Sequence, residues 1–507
     1  MRRMQGLGAL IAILLSAAAA QAAPIRDQVR AYRVAHERQI VSDFMTFLAM
    51  PDVASVVPDV QKNAAYIEGL LKARGFSTRI LAALPATPPS VFAELTTAGA
   101  KRTVVFYAHF DGQPVGQKGW ITDPFVPSMR TALPEATPVD WKDAAALDPN
   151  WRVFARASGD DKVSIQALIS AFDALRAKGI KPSVNIKLLY EGEEEQGSPH
   201  LAKLVADNLD LLRCDLLIMG DGPMHQSGRQ MVNFGNRGIA SLTLTVYGPS
   251  KPLHDGHYGS WAPSPTVMLA GLIMSLRDEE GRILIPGFYD DVEPVSASDR
   301  AALAAMPPVE ADLKQALGLA RNVGPARLAD GYLAPTLNVR AIHAGDEGPS
   351  AANAIATEGN ASLDFRLAPG ETPARVRELL EAYLTQQGWF IVRETPDLAT
   401  RLAHAKIVRV VWDAGGSLAT KTRLDLPASK AVVASIERTV GYPVIRLPIV
   451  GASSGMADVI NQLRVPMVGV SIANYDDNQH AQNENLRLGN LWDGIEVYAG
   501  LLADLNW

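Results

Sequence analysis

The sequence predicts an α/β fold: a mixed-sheet α/β domain into which a smaller ferredoxin-like α+β domain is inserted. Three observations carry this. Apolar strand runs alternate with amphipathic helical runs early and late in the chain. From about residue 237 the texture changes to strands that alternate apolar and polar residues, as antiparallel sheets do. The first texture resumes near residue 413, so the middle stretch is an insertion and not a terminal module. A length of 507 residues leaves room for more than one domain. The expected organisation is a leader over residues 1–22, a main domain over 23–236 and 413–507, and the insert over 237–412.

Arg2 and Arg3 precede the apolar run LGALIAILLSAAAA, and Ala20-Gln21-Ala22 is a small-x-small cleavage site. This is the pattern of a secretory signal peptide, with the mature start expected near Ala23. An uncleaved anchor is the alternative, but the apolar core is short against the roughly 20 residues of a span. No later run approaches that length, so no membrane association is expected after cleavage. The protein is expected to be exported, periplasmic or secreted. Its one cysteine, Cys214, supports neither an intrachain disulfide nor a thiolate metal site. Any metal must be held by His, Asp and Glu. The net charge of -6, with no basic run or stacking motif, argues against nucleic acid as a partner.

The elements follow in order. NAAYIEGLLKARGF (63–76) has helical spacing and ends at Gly75. TVVFYAHFD (103–111) is an apolar strand. The Pro/Ala-rich stretches 84–89 and 132–149 are loops, the second unusually long. VSIQALISAFDALRAKG (163–179) is an amphipathic helix closed by Lys178 and Gly179. SVNIKLLYE (183–191) and CDLLIMGD (214–221) are further strands. In the insert, IASLTLTVYG (239–248) puts Leu242, Leu244 and Val246 on one side and Ser241, Thr243 and Thr245 on the other, a strand with one wet face. APSPTVMLAGLIMSLRD (262–278) is a helix, PTLNVRAIHAG (335–345) and NASLDFRLAPG (360–370) are strands, and TPARVRELLEAYLTQQG (372–388) is a helix with Pro373 near its first turn. WFIVRE (389–394) is the final strand of the insert. Strand-helix-strand-strand-helix-strand is the ferredoxin-like order. PASKAVVASIERTVG (427–441) and VPMVGVSI (465–472) return to the α/β texture.

In an open α/β sheet, ligands bind outside the carboxyl ends of the strands. Those ends carry one kind of residue here. TVVFYAHFD ends in His109 and Asp111, and FARASGDDK sets Asp160 and Asp161 before a helix. IKLLYEGEEE ends in Glu194 and Glu195, with Glu191 and Glu193 just before them. CDLLIMGD ends in Asp221, and the loop after VPMVGVSI leads to His480. Packing several carboxylates together is costly unless a cation offsets them. A solvated acidic turn is the plain alternative for residues 191–195. A pair of divalent ions needs a bridging carboxylate plus neutral or anionic ligands, and zinc and manganese both accept mixed N/O sets. A further Glu outside the ligand set takes a proton from the activated water.

The motifs HFDGQPVGQKGWITDPF, RASGDDK, YEGEEEQGS, MGDG, LHDGHYGS, FRLAPGETP and HAQNENLRL follow one another from His109 to Arg487. Together they resemble the co-catalytic dimetal peptidase/deacylase family of carnosinase-type dipeptidases, glutamate carboxypeptidases and aminoacylases. The resemblance implies a catalytic main domain and a lid/dimerisation insert. It implies that Asp160 bridges two metal ions, that His109 and Asp221 ligate one and that Glu195 and His480 ligate the other. Glu194 is then the general base and Asp111 the carboxylate that orients His109. His254 of LHDG resembles the lid histidine that reaches the partner's active site in dimeric members and steadies the oxyanion. Arg366 resembles the arginine that binds the substrate carboxylate. Asn353 stands where the family contacts substrate, and Ser453 falls in its Gly-Gly-Ser loop. Asp161 is left as a helix cap, Glu191 as a hydrogen-bonding residue near the site, and Glu193 as solvent-facing.

Some positions depart from the family pattern. Val163 follows DDK where Gly is usual, Asp255-Gly256 and Gly259-Ser260 replace a Ser-Gly and Gly-Gly pattern, and GASSGM departs from Gly-Gly-Ser-Ile-Pro. None removes a ligand; they bear on substrate preference. The implied activity is hydrolysis of the amide bond of dipeptides or short peptides, of dipeptidase or carboxypeptidase type. The implied cofactors are two divalent ions per subunit, zinc first and manganese second. An N-acyl-amino-acid deacylase is the alternative within the family, and a non-catalytic binding protein the alternative outside it. A homodimer through the lid is expected, with the alternating strand 239–248 a candidate for its interface.

Overall fold

The computed structural model describes residues 24–507 except 117, 134, 349 and 350, so the expected leader lies outside the described residues. Eight strands form the main sheet. Their order is Ser77–Leu81, Ser90–Leu95, Asn185–Glu191, Thr103–His109, Leu216–Met219, Met467–Gly469, Met231–Asn233 and Ile445–Leu447. The third to sixth run parallel to one another, while the first two and the Met467–Gly469/Met231–Asn233 pair are antiparallel, so the sheet is mixed.

The unbroken apolar runs of the central strands have a simple cause: both faces are covered. Along Thr103–His109, Val104, Phe106 and Ala108 enter a core shared with helices Ile25–Leu48, Lys162–Ala177 and Leu488–Asp504. Val105 and Tyr107 point the other way, toward helices Leu201–Asp207 and Met456–Leu463. Helix Ile25–Leu48 is absent from the sequence reading. Its buried residues Val29, Ile40, Val41, Phe44, Phe47 and Leu48 crowd toward one end, which blurs the helical period.

The insert has a five-stranded sheet in the order Thr336–His343, Glu358–Leu367, Gly238–Tyr247, Ile407–Trp412 and Phe390–Val392. Helices Pro265–Leu276 and Pro373–Gln386 cover one face, packing Leu269, Leu272, Val376 and Leu380 on Leu242, Leu244 and Phe365. Thr372 caps the second helix by accepting the Arg375 N–H, and Pro373 follows at the first turn.

Three expectations about the insert need correction. Strand Ile407–Trp412 was missing from the sequence reading; it pairs antiparallel with Gly238–Tyr247 and parallel with Phe390–Val392, which becomes an edge. The Gly238–Tyr247 strand is central, and its polar side is not wet: Thr245 is 1% exposed and donates to Asn360 Oδ1. A strand flanked on both sides has no free edge to offer a second copy.

The ferredoxin-like order also omits residues 279–335. Helix Ala297–Ala304 from this segment leaves the insert, and its Leu303, with Met306 just past its end, packs against Ile445, Leu447 and Ile449. Lys421 pairs there with buried Asp299 at 2.7 Å. The segment covers the edge strand of the main sheet and ties the insert to it.

Candidate metal centre

Register brings the first candidates together. His109 and Glu191 are neighbours at the ends of parallel strands, and Asp221 follows the next strand by two residues. The loops before helix Lys162–Ala177 and before strand Asn485–Arg487 supply Asp160 and His480. Ligand atoms of His109, Asp160 and Asp221 lie within 4.8 Å of one another, and so do those of Asp160, Glu195 and His480. Asp160 belongs to both groups. Its Oδ1 lies 2.9 Å from His109 Nε2 and its Oδ2 3.1 Å from His480 Nε2. Glu195 Oε2 is 3.2 Å from the same His480 nitrogen. The Asp160–Asp161 peptide is cis.

The electrostatics test whether cations fit. Burial pulls the His109 pKa down, but contacts with Asp111 and Asp160 overcome this and hold it well above the usual imidazole value. Hydrogen bonds donated by its ring to the Asp160 and Glu195 carboxylates push His480 up to about 10. Burial pushes Asp221 up to about 7, with Asp160 adding repulsion. Burial also drives Glu194 well above the carboxylate range, with Asp221, Asp160 and Glu195 adding to it. Both contacting Nε2 atoms face carboxylate oxygens, where a divalent ion would replace the proton. Two imidazoles and three carboxylates suit such ions.

Asp111 does more than orient an imidazole. His109 Nδ1 is 3.0 Å from the Asp111 carbonyl oxygen and 3.5 Å from its carboxylate. That carboxylate accepts the backbone N–H groups of Glu194 and Glu195, each at 3.0 Å. One side chain thus sets both the His109 ring and the turn that carries Glu194. Glu191 accepts the Tyr107 hydroxyl at 2.6 Å, and burial pushes its carboxyl up to about 8.

Glu193 contradicts its expected place. It is 4% exposed and does not face solvent; its oxygens take the backbone N–H and the Nδ1 of His200, each at 2.9 Å. The chain reverses at Gly197, whose φ is +83°, and brings His200 back over the turn. Asp161 accepts the Ser164 hydroxyl, makes no helix-capping bond to the backbone, and joins neither ligand group.

The substrate-binding candidates divide into two places. Arg366 Nη1 donates to Ser453 Oγ at 2.9 Å, and Ser453 donates to the Gly238 carbonyl at 3.1 Å. His254 and Asn353 lie together elsewhere in the insert. Strand Leu253–His254 pairs with Ala354–Ile355, and the Asp255 N–H donates to the Asn353 carbonyl at 3.1 Å. Both residues are exposed, and neither belongs to the two ligand groups.

Sequence reasoning missed Gln113, Gln479 and Glu484. Gln113 donates to Glu195 Oε2 at 2.8 Å and Gln479 to Asp160 Oδ2 at 2.6 Å. Glu484 accepts four N–H groups from the loop that carries Asp160. Gln113 and Glu484 stand inside the motifs that point to the site, but a neutral amide and a lone carboxylate carry no spacing signal of their own.

Residues 105–504 match peptidase family M20/M25/M40. The chain belongs to this family. Among M20 proteins, the Cys-Gly metallodipeptidase dug1 of Schizosaccharomyces pombe is 25% identical over 424 residues, covering 82% of this chain and 83% of that one. The Beta-Ala-His dipeptidase of Homo sapiens is 24% identical over 427 residues, covering 82% and 78%. Among solved structures, the M20 metallo-carboxypeptidase Sso-CP2 from Sulfolobus solfataricus has a TM-score of 0.76 at 26% identity, covering 92% of this chain and 99% of that one. Human carnosine dipeptidase 1 has a TM-score of 0.74 at 22% identity, covering 95% and 99%. The shared M20 fold extends through the insert.

Proposed function

We propose that this M20 protein is a dinuclear metallodipeptidase that cleaves the amide bond of dipeptides or short peptides. One observation carries the reading: two His/carboxylate groups share Asp160, while Glu194 lies beside them and belongs to neither. Relatives named as dipeptidases, aligned over four-fifths of the chain, favour this substrate class over N-acyl amino acids. His109 and Asp221 would hold one ion, Glu195 and His480 the other, and Asp160 both, with zinc or manganese accepted by the donor set. Such ions, when bound, acidify a water and polarise the amide carbonyl.

The chain's own residues supply the remaining chemistry. Burial and neighbouring carboxylates raise the proton affinity of Glu194, so it takes a proton from the attacking water and returns it to the leaving amine. Arg366, oriented by Ser453, offers a guanidinium to the substrate carboxylate. Asn353 serves substrate alongside His254, its neighbour across the lid ladder. His254 donates to the oxyanion from the partner subunit.

That role needs a homodimer. The lid exposes large apolar side chains that a partner would cover: Trp261 is 82% exposed, Val267 71%, Met274 53% and Ile342 57%. Ile342 lies on the edge strand Thr336–His343, which takes over the interface role expected of the strand 239–248. We further propose that the leader directs the protein to the periplasm or medium. No helix among the described residues is long and apolar enough to cross a membrane.

A panel of dipeptides and N-acetyl amino acids, assayed with added zinc or manganese, tests the function. Dipeptides are expected to turn over with kcat/KM at least about tenfold higher, equivalent to about 1.4 kcal/mol of transition-state discrimination. Faster cleavage of the N-acetyl series would transfer the assignment to the deacylase reading, and no cleavage of either would favour a binding protein. His254→Ala is expected to lower kcat by about 10²-fold without dissolving the dimer. Full activity of a sedimenting monomer would exclude action in trans.

A further inference from the structure

Glu484 is the only described carboxylate that grips the loop carrying Asp160 by its backbone. Its Oε2 accepts Arg156 Nη1 at 2.8 Å and the Ala157 N–H at 3.1 Å. Its Oε1 accepts the Gly159 N–H at 2.9 Å and the Asp160 N–H at 3.1 Å. Glu484 is 1% exposed, and four donors occupy its lone pairs. It also stands four residues after His480, on the other ligand loop. Just beyond it, Asn485–Arg487 pairs with Arg152–Phe154, and the Ala155 N–H donates to the Glu484 carbonyl at 3.1 Å. One residue thus joins the two loops that supply Asp160 and His480.

Both loops are held in unusual conformations. Ala157, Asn478, His480 and Asn483 all have left-handed backbones, with φ of 58°, 59°, 62° and 63°. Residues other than glycine keep such conformations only where their surroundings over-determine them. The loops also press closely together: a Cβ on Gly159 would meet the Asp477 carboxylate at 2.7 Å. The Arg156 guanidinium that completes the cradle lies over the Trp120 ring at 5.0 Å, which closes it from the rim.

We propose that Glu484 is the positioning residue that keeps His480 in register with Asp160, so that the site binds its second cation only while this cradle is intact. This rests on the dinuclear reading above. Glu484→Gln keeps the volume but turns an amide NH2 toward backbone N–H donors, so it cannot take all four bonds. The chelator-stripped chain is titrated calorimetrically with Zn2+ and separately with Mn2+, and the melting temperature of the stripped protein is read in parallel.

Wild type is expected to take up two cations. In Glu484→Gln the affinity for the second is expected to fall about 10- to 100-fold, with the first changed less. A merely structural role would lower the melting temperature of the stripped variant and leave both affinities at wild-type values, and that result would overturn the inference alone. Should Glu484→Gln not fold, Arg156→Lys carries the same test, because it loosens one of the four bonds and keeps the charge pair. A several-fold weaker second site supports the proposal, and unchanged affinities overturn it. A wild-type chain that takes up no divalent cation would instead overturn the dinuclear reading, and this inference with it.

Discussion

Glu194→Gln is expected to lower kcat by about 10²- to 10⁴-fold while leaving the fold and cation uptake intact. The amide has the shape of the carboxyl but cannot carry the proton from water to amine. Glu194 is in neither ligand group, so its loss removes no donor from a cation. Its turn is held through the backbone N–H that Asp111 accepts at 3.0 Å, and the substitution does not touch that bond. The effect therefore falls on kcat rather than on metal content. Steady-state kinetics beside metal analysis separates the two, and a variant that still turns over at the wild-type rate would remove Glu194 from the mechanism.

Lys162→Met is expected to destabilise the main domain by about 3–5 kcal/mol. Lys162 Nζ lies 2.8 Å from Asp52 Oδ2, and both side chains are 0% exposed. The same ammonium donates to the carbonyls of Phe47 at 3.1 Å and Met50 at 3.0 Å and lies over the Phe47 ring. It thereby anchors the start of the helix after Asp160 and Asp161 to the end of helix Ile25–Leu48. Methionine fills a similar volume, so the cost comes from the orphaned carboxylate and carbonyls rather than from a cavity.

The pH dependence has a definite sign. Burial raises the Asp52 pKa even beside Lys162, which opposes that rise. Without the lysine, the folded-state pKa of Asp52 rises further above its unfolded value. The protonated form is then favoured on folding, and the associated stability is lost as pH increases. The variant should lose more stability at pH 8 than at pH 5. Urea unfolding at both pH values checks this. Adding Asp52→Leu to Lys162→Met should recover most of the loss, because an apolar pair needs no charge compensation. A loss below about 1 kcal/mol at neutral pH, of the size found for exposed pairs, would mean that the ion pair anchors nothing.

The site was legible for a local reason. Parallel strands buried on both faces leave long apolar runs, so the polar residues at their carboxyl ends stand out. His109, Glu194, Glu195 and Asp221 are candidates on that ground. Asp160 and His480 followed from loops next to such strands, and family motifs ordered the set. The same logic failed for Glu193, because a run of acids reads as one polar turn until the chain folds back and supplies His200. It failed for strand Ile407–Trp412 and for helix Ala297–Ala304 because both take their meaning from distant partners: the first from Gly238–Tyr247, the second from Ile445–Leu447.

By itself the sequence determined the α/β class, the interruption by a second sheet and the residue types at the strand ends, because hydrophobic period and strand polarity are written locally. Only the tertiary structure decided that Asp160, and not Asp161, stands between the two histidines, that Asp111 holds the turn of Glu194, and that Glu484 joins the loops of Asp160 and His480. These are contacts across 51 to 324 residues of chain. Hydrogen bonds at such separations leave no period in the sequence, so no local pattern encodes them.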